Sequence, residues 1–125
     1  MKILVVDDSD AVRRTAKTVL KEIGFENISE APDGVQALAK LKCDTYQLLI
    51  TDWNMPNMDG MTLVRMMRGD DALKDIAVIM LTAEAETDHV LEAAKVGISD
   101  YVVKPFSTEV LQKKIEKLFL HMPVR

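Results

Sequence analysis

At 125 residues, with 20 Asp and Glu against 16 Lys and Arg, the chain has the length of one mildly acidic domain, enough to bury a core without disulfides or a structural metal. No basic run is present to track a phosphate backbone, which argues against direct nucleic-acid binding. Cys43 is the only cysteine, so a disulfide framework and a cysteine-based zinc site are excluded and a reducing compartment is expected.

The chain opens with an aliphatic run at residues 3–6 that stops at Asp7, Asp8 and Ser9. It is too short for a signal peptide or a membrane span and reads as a strand buried on both faces. The expectation is a soluble, cytoplasmic, monomeric protein without membrane insertion, one domain over residues 1–125 with a frayed tail at 120–125. Over residues 10–23, Val12, Ala16, Val19, Leu20 and Ile23 recur at helical spacing, with Ser9 or Asp8 to cap the start and Gly24 to close the end. Residues 27–31 form a second strand, followed by the turn Pro32, Asp33, Gly34 and a short helix patterned by Val35, Leu38 and Leu41.

The third strand, residues 48–52, ends abruptly at Asp52 and turns through Asn54, Pro56, Asn57 and Asp59-Gly60. Asp59 caps a helix carrying Met61, Leu63, Val64 and Met67, and residues 68–75 are a polar connection. A fourth strand at 77–81 ends at Thr82, Ala83 and Glu84, and a helix at 87–96 stops at Gly97. The last strand, 101–103, runs into Lys104-Pro105, an X-Pro bond suited to the cis form. Ser107 then caps a final helix with an apolar stripe of Val110, Leu111, Ile115, Leu118 and Phe119, and Lys113, Lys114 and Lys117 on its other side.

Strand and helix alternate five times with short connections, which predicts an α/β fold: a five-stranded parallel sheet in the flavodoxin-like order 2-1-3-4-5 with helices on both faces. That order brings Asp7, Asp8, Asp52, Thr82 and Lys104 out along one edge, where ligands of such sheets bind. Three carboxylates beside one ammonium call for a divalent cation, and hard oxygen ligands without imidazole or thiolate favour Mg²⁺ or Mn²⁺. A carboxylate beside such a cation and a lysine is a nucleophile toward phosphorus, so Asp52 is the candidate for an aspartyl phosphate. Taken singly these residues have plainer uses: Asp7-Asp8 as a helix-capping pair, Thr82 as a strand-end hydroxyl, Lys104 as a solvated turn residue. Only their joint position lifts them.

The segments "ILVVDD", "LLITDWNMPNMDG", "VIMLTAEA" and "GISDYVVKPFS", in this order and spacing, resemble the receiver domains of two-component response regulators over residues 2–119. They are most similar to the single-domain chemotaxis receivers. The resemblance implies that Asp52 is the phosphoacceptor, served by a histidine kinase. It implies that Asp7, Asp8, Asp52 and the Asn54 backbone carbonyl hold Mg²⁺, and that Lys104 pairs with the phosphoryl group. Thr82 and Tyr101 become the switch pair, while Asn54 and Glu84 tune hydrolysis, which a phosphatase can assist. With no output domain after the last helix, the signal is read by a partner on the face of the fourth helix, fifth strand and fifth helix: Glu86, Thr87, Tyr101, Lys114 and Lys117. The flagellar motor switch protein is the partner the chemotaxis receivers imply. Those that bind it carry two lysines where this chain has Glu86 and Thr87, which also points to a non-motor pathway or a phosphorelay.

Two other readings of the residues compete. A small Mg²⁺-dependent phosphatase with an aspartyl nucleophile needs a substrate cap and a nearby general acid, neither visible. A flavin carrier of the same fold needs a hydroxyl- and glycine-rich phosphate loop where Asp7 and Asp8 stand. His89, His121 and Cys43 lack partners at metal-ligand spacing, and the methionines read as core filler and exposed singles.

Overall fold

Five extended segments bounded by turn residues form the strands β1 (Lys2–Val6), β2 (Asn27–Ala31), β3 (Leu48–Asp52), β4 (Ala77–Thr82) and β5 (Asp100–Val103); β1, β3 and β4 are the continuous apolar runs, and β2 at the edge is mostly polar. In the computed structural model, which describes residues 1–83 and 94–119, they make one sheet in the order β2-β1-β3-β4-β5. Every pairing is parallel, as the sequence predicts. The helices are α1 (Asp10–Ile23), α2 (Gly34–Cys43), α3 (Gly60–Arg68) and the C-terminal helix α4 (Thr108–Leu118). The helix expected at 87–96 lies outside the described residues except for 94–96, which are helical. Glu84, Glu86, Thr87, His89, His121 and the tail at 120–125 also lie outside them. Among the described residues no helix is long and apolar enough to cross a membrane.

Each of α1, α2, α3 and α4 starts on a side-chain oxygen that satisfies an otherwise unpaired amide. Ser9 accepts from Val12, Asp33 from Gln36, Asp59 from Thr62 and Ser107 from Val110, each worth about 1 kcal/mol. Ser9, not Asp8, caps α1, so neither acid of the Asp7-Asp8 pair is needed as the cap. At the other end of α1, Gly24 donates to the Leu20 and Lys21 carbonyls.

The pleat divides the core in two. Leu4, Val6, Leu49, Val78 and Met80 face a cluster completed by residues of α2 and α3. Ile3, Val5, Leu48, Ile50, Ile79 and Leu81 face a second cluster completed by α1 and α4. Strands buried on both faces need both residue parities apolar, hence the continuous aliphatic runs.

Two stripe expectations need correction. Val35 is 50% exposed and Val110 45%. The inward face of α2 is Gly34, Ala37 and Leu41, and that of α4 is Leu111 and Ile115. Val35 and Val110 each sit one residue, about 100°, round from it. The connection at 68–75 is also less plain than its polarity suggests. Leu73 is buried, and Arg68 ends α3 by donating to the main-chain carbonyls of Lys74, Ile76 and Gly97.

Candidate functional site

The parity that builds the two cores also assembles the site. Asp7, one residue beyond β1, is in step with Ile3 and Val5, and Asp52 is in step with Leu48 and Ile50. Both carboxylates therefore lean to the α1 side of the sheet on adjacent strands. Asp7, Asp8 and Asp52 each bring a carboxylate oxygen within 4.8 Å of the others. Asp7 is 1% exposed and Asp52 8%, while Asp8 is exposed.

Lys104 reaches into this cluster from the end of β5. Its Nζ donates to Asp7 Oδ2 at 2.9 Å and to Asp52 Oδ1 at 3.0 Å, and the Lys104-Pro105 peptide bond is cis. Asp7 Oδ1 accepts from the Ser9 amide at 2.9 Å, and Asp52 Oδ1 from the Trp53 amide at 2.9 Å. Arg13 Nη1 donates to the Asp7 carbonyl at 2.6 Å, tying α1 to the site.

Burial pushes the Asp52 carboxyl above its ordinary pKa; the Lys104 hydrogen bond opposes this and the Asp7 charge adds to it. For Lys104, burial acts to lower the pKa, but the hydrogen bonds and charges of Asp7 and Asp52 outweigh it, and the net direction is up. The ammonium is thus held charged between two carboxylates, and three acids against one base leave the crevice with net negative charge. Hard oxygen donors with excess negative charge fit Mg²⁺, and neither imidazole nor thiolate stands among the cluster residues to favour Zn²⁺.

Gly60 fixes the loop after Asp52. Its amide donates to the Trp53 carbonyl at 2.9 Å, and a Cβ there would collide with the Asp52 carbonyl oxygen. Only glycine lets α3 start so close to the strand that carries the acid. Asn54 is exposed on this loop.

Thr82 and Tyr101 fall on the other parity. Tyr101 pairs with Met80 and packs against the α2–α3 cluster, and alternation sets Thr82 on the same face, two residues beyond Met80. Lys114 lies over the Tyr101 ring, 5.3 Å from its centroid, and pairs with Asp100 Oδ1 at 2.9 Å. Lys117 is exposed. The sequence reading missed the Asp100–Lys114–Tyr101 grouping; the signal lay in an acid directly before the tyrosine and a lysine on the neighbouring helix.

A flavodoxin-like sheet whose central strand ends carry a carboxylate cluster bridged by a lysine defines a class: receiver modules of phosphorylation signalling. The chain belongs to the response regulator receiver domain family, whose model matches residues 3–116; it is a CheY-like receiver of two-component signalling. It is 50% identical to the chemotaxis protein CheY of Pseudomonas aeruginosa over 95% of this chain and 96% of that protein. It is also similar to the solved structure of the chemotaxis response regulator CheY4 of Vibrio cholerae, with TM-score 0.87 and 35% identity over 94% of this chain and 97% of the other. A third likeness is the receiver domain of the sensor histidine kinase PA1611 of Pseudomonas aeruginosa, solved with a magnesium ion coordinated in the active site cleft. It has TM-score 0.84 and 26% identity over 93% of this chain and 94% of the other. Phosphorylation and Mg²⁺ binding are general to the family.

Proposed function

We propose that Asp52 is the phosphoacceptor of a switch with chemotaxis-type output. The observation that carries this reading is the convergence of Asp7, Asp8 and Asp52 within 4.8 Å, with the Lys104 ammonium on two of them. A histidine kinase presents a phosphohistidine, and an Asp52 carboxylate oxygen attacks its phosphorus. The P–N bond breaks, its electron pair leaves on the imidazole, which takes up a proton, and Asp52 becomes an acyl phosphate. Lys104, paired with Asp7 and Asp52, would supply the cation that the arriving phosphoryl oxygens need. Asp7, Asp8, Asp52 and the Asn54 backbone carbonyl would hold Mg²⁺ or Mn²⁺, which when bound neutralises charge on the transferring group.

In this reading Asn54 and Glu84 set how fast water removes the phosphoryl group, with or without a phosphatase. Thr82 and Tyr101 carry the change to the face that includes Lys114 and Lys117, where an output protein binds. The protein works as a cytoplasmic monomer, a single receiver domain over residues 1–125, and acts on no substrate but its own phosphoryl group. A flagellar motor switch protein is the output partner that the chemotaxis relatives favour. Glu86 and Thr87 favour a second reading, a receiver in a non-motor pathway or phosphorelay.

The test is incubation with acetyl phosphate and Mg²⁺ followed by mass spectrometry. A labile adduct of one phosphoryl group on Asp52, absent from Asp52→Asn, is expected. Failure of the parent to form it, or turnover of unrelated phosphoesters, overturns the reading.

A further inference from the structure

The loop at residues 53–59 carries Asn54 and is closed at its base by the Gly60 amide on the Trp53 carbonyl. Its tip is held from outside, by the start of α2. Asp33, 6% exposed, caps α2 through Oδ1 on the Gln36 amide at 2.8 Å and accepts from the Asn57 side-chain amide through Oδ2 at 2.9 Å. Beside it the Gly34 amide donates to the Met58 carbonyl at 3.2 Å. The approach is so close that a Cβ on Gly34 would lie 2.7 Å from that oxygen. Asn57 has φ 69, a left-handed conformation that asparagine tolerates better than most residues.

Capping alone needs one oxygen of Asp33, and serine would cap about as well. The second oxygen, the left-handed asparagine and the bare Gly34 all serve the loop. The Asp33 carboxyl is held below its ordinary pKa by the Gln36 amide and then by the Asn57 amide, so the bonded form is the carboxylate.

We infer that Asp33 and Asn57 are positioning residues: their bond tethers the loop to α2 and fixes the Asn54 carbonyl for Mg²⁺, and with it the readiness of Asp52 to take a phosphoryl group. The inference rests on the reading of Asp52 and Asn54 above. The tether reaches the site through the main chain of the loop, which is why it works at a distance from the reacting oxygens. Outer contacts that orient metal ligands commonly change metal affinity severalfold or more.

Three variants separate tether from cap. Asn57→Gly keeps the left-handed backbone and deletes the side-chain amide. Asp33→Ser keeps a cap and deletes the second oxygen. Asp33→Asn keeps the cap and restores a bond, because the Asn57 amide can turn to accept. Mg²⁺ affinity is read by calorimetry and Trp53 fluorescence, the phosphorylation rate with acetyl phosphate, and Gly34 amide exchange in metal-free protein. Asn57→Gly and Asp33→Ser should each weaken Mg²⁺ binding about three- to tenfold and speed Gly34 exchange, with the double variant no worse than the weaker single. Asp33→Asn should return to within about twofold of the parent, a rescue that loss of stability alone does not give. Unchanged Mg²⁺ affinity in both single variants overturns the inference, as does a double variant showing the product of the two effects. A parent that binds no Mg²⁺ overturns the reading of the site, and this inference with it.

Discussion

Arg68 offers a quantitative test of how the connection into β4 is held. Its guanidinium donates to the Gly97 carbonyl at 3.0 and 2.6 Å, to Ile76 at 2.8 Å and to Lys74 at 2.8 Å. Burial pushes its pKa down from the ordinary value while the Asp75 charge acts the other way; arginine nonetheless remains charged across the working pH range. The bonds to Ile76 and Gly97 are partly buried and the one to Lys74 is exposed. Arg68→Met keeps the aliphatic stem and leaves those two carbonyls without their charged donor. At about 1–1.5 kcal/mol for each, after the desolvation of the guanidinium is regained, the loss is about 2–3 kcal/mol. For a chain of this size that lowers Tm by about 6–12 °C. Arg68→Lys can reach one carbonyl but not span three, and should lose about half as much. Urea unfolding followed by circular dichroism measures both variants. A loss below about 0.5 kcal/mol in Arg68→Met, or equal losses in the two variants, would refute the argument that the planar fork is what joins these segments.

Four further outcomes are expected. The Asp52 carboxyl has a higher pKa folded than unfolded, so stability falls as pH rises from the unfolded value through the folded one. Asp52→Asn should therefore be more stable than the parent at pH 7, with the gain vanishing below about pH 4; a gain independent of pH contradicts this. Mg²⁺ at ten times its dissociation constant should stabilise the parent by about 1.4 kcal/mol and Asp8→Asn by much less, read as a thermal shift. Thr82→Ala should accept phosphate from acetyl phosphate yet gain little partner affinity on phosphorylation; a full gain would break the proposed link to Tyr101. Glu86→Lys with Thr87→Lys should tighten binding of an acidic motor-switch peptide to the beryllofluoride-activated protein, more at low salt, and equal titrations of parent and variant would remove the charge argument.

The strands and their order were legible because β1, β3 and β4 are short aliphatic runs closed by turn residues, because the edge segments alternate with helices at short spacing, and because strand order constrains which ends meet. Asp7, Asp52 and Lys104 could be placed together for that reason, and Ser9, Asp59 and Ser107 could be assigned as caps from their place before an apolar period. Val35 and Val110 misled because a small aliphatic residue at a helix start fits a stripe by composition whether or not it faces the sheet. The Asp33–Asn57 bond spans 24 residues and the Arg68–Gly97 contact 29. No local periodicity encodes such approaches, which arise only when separate elements dock. Asp33 reads as a turn residue and Arg68 as part of a polar connection until the partners are in place.

The two-sided core has a consequence for engineering the protein. Because the sheet is a wall with packed side chains on either face, substitutions at Ala16 or Val19 leave the side chains that pack with Met80 untouched. Changes at Met80, by contrast, alter the cross-strand neighbour of Tyr101 and, if Tyr101 acts as proposed above, change signalling together with stability. The two faces of the same five strands can thus be repacked separately, and their effects on stability should add.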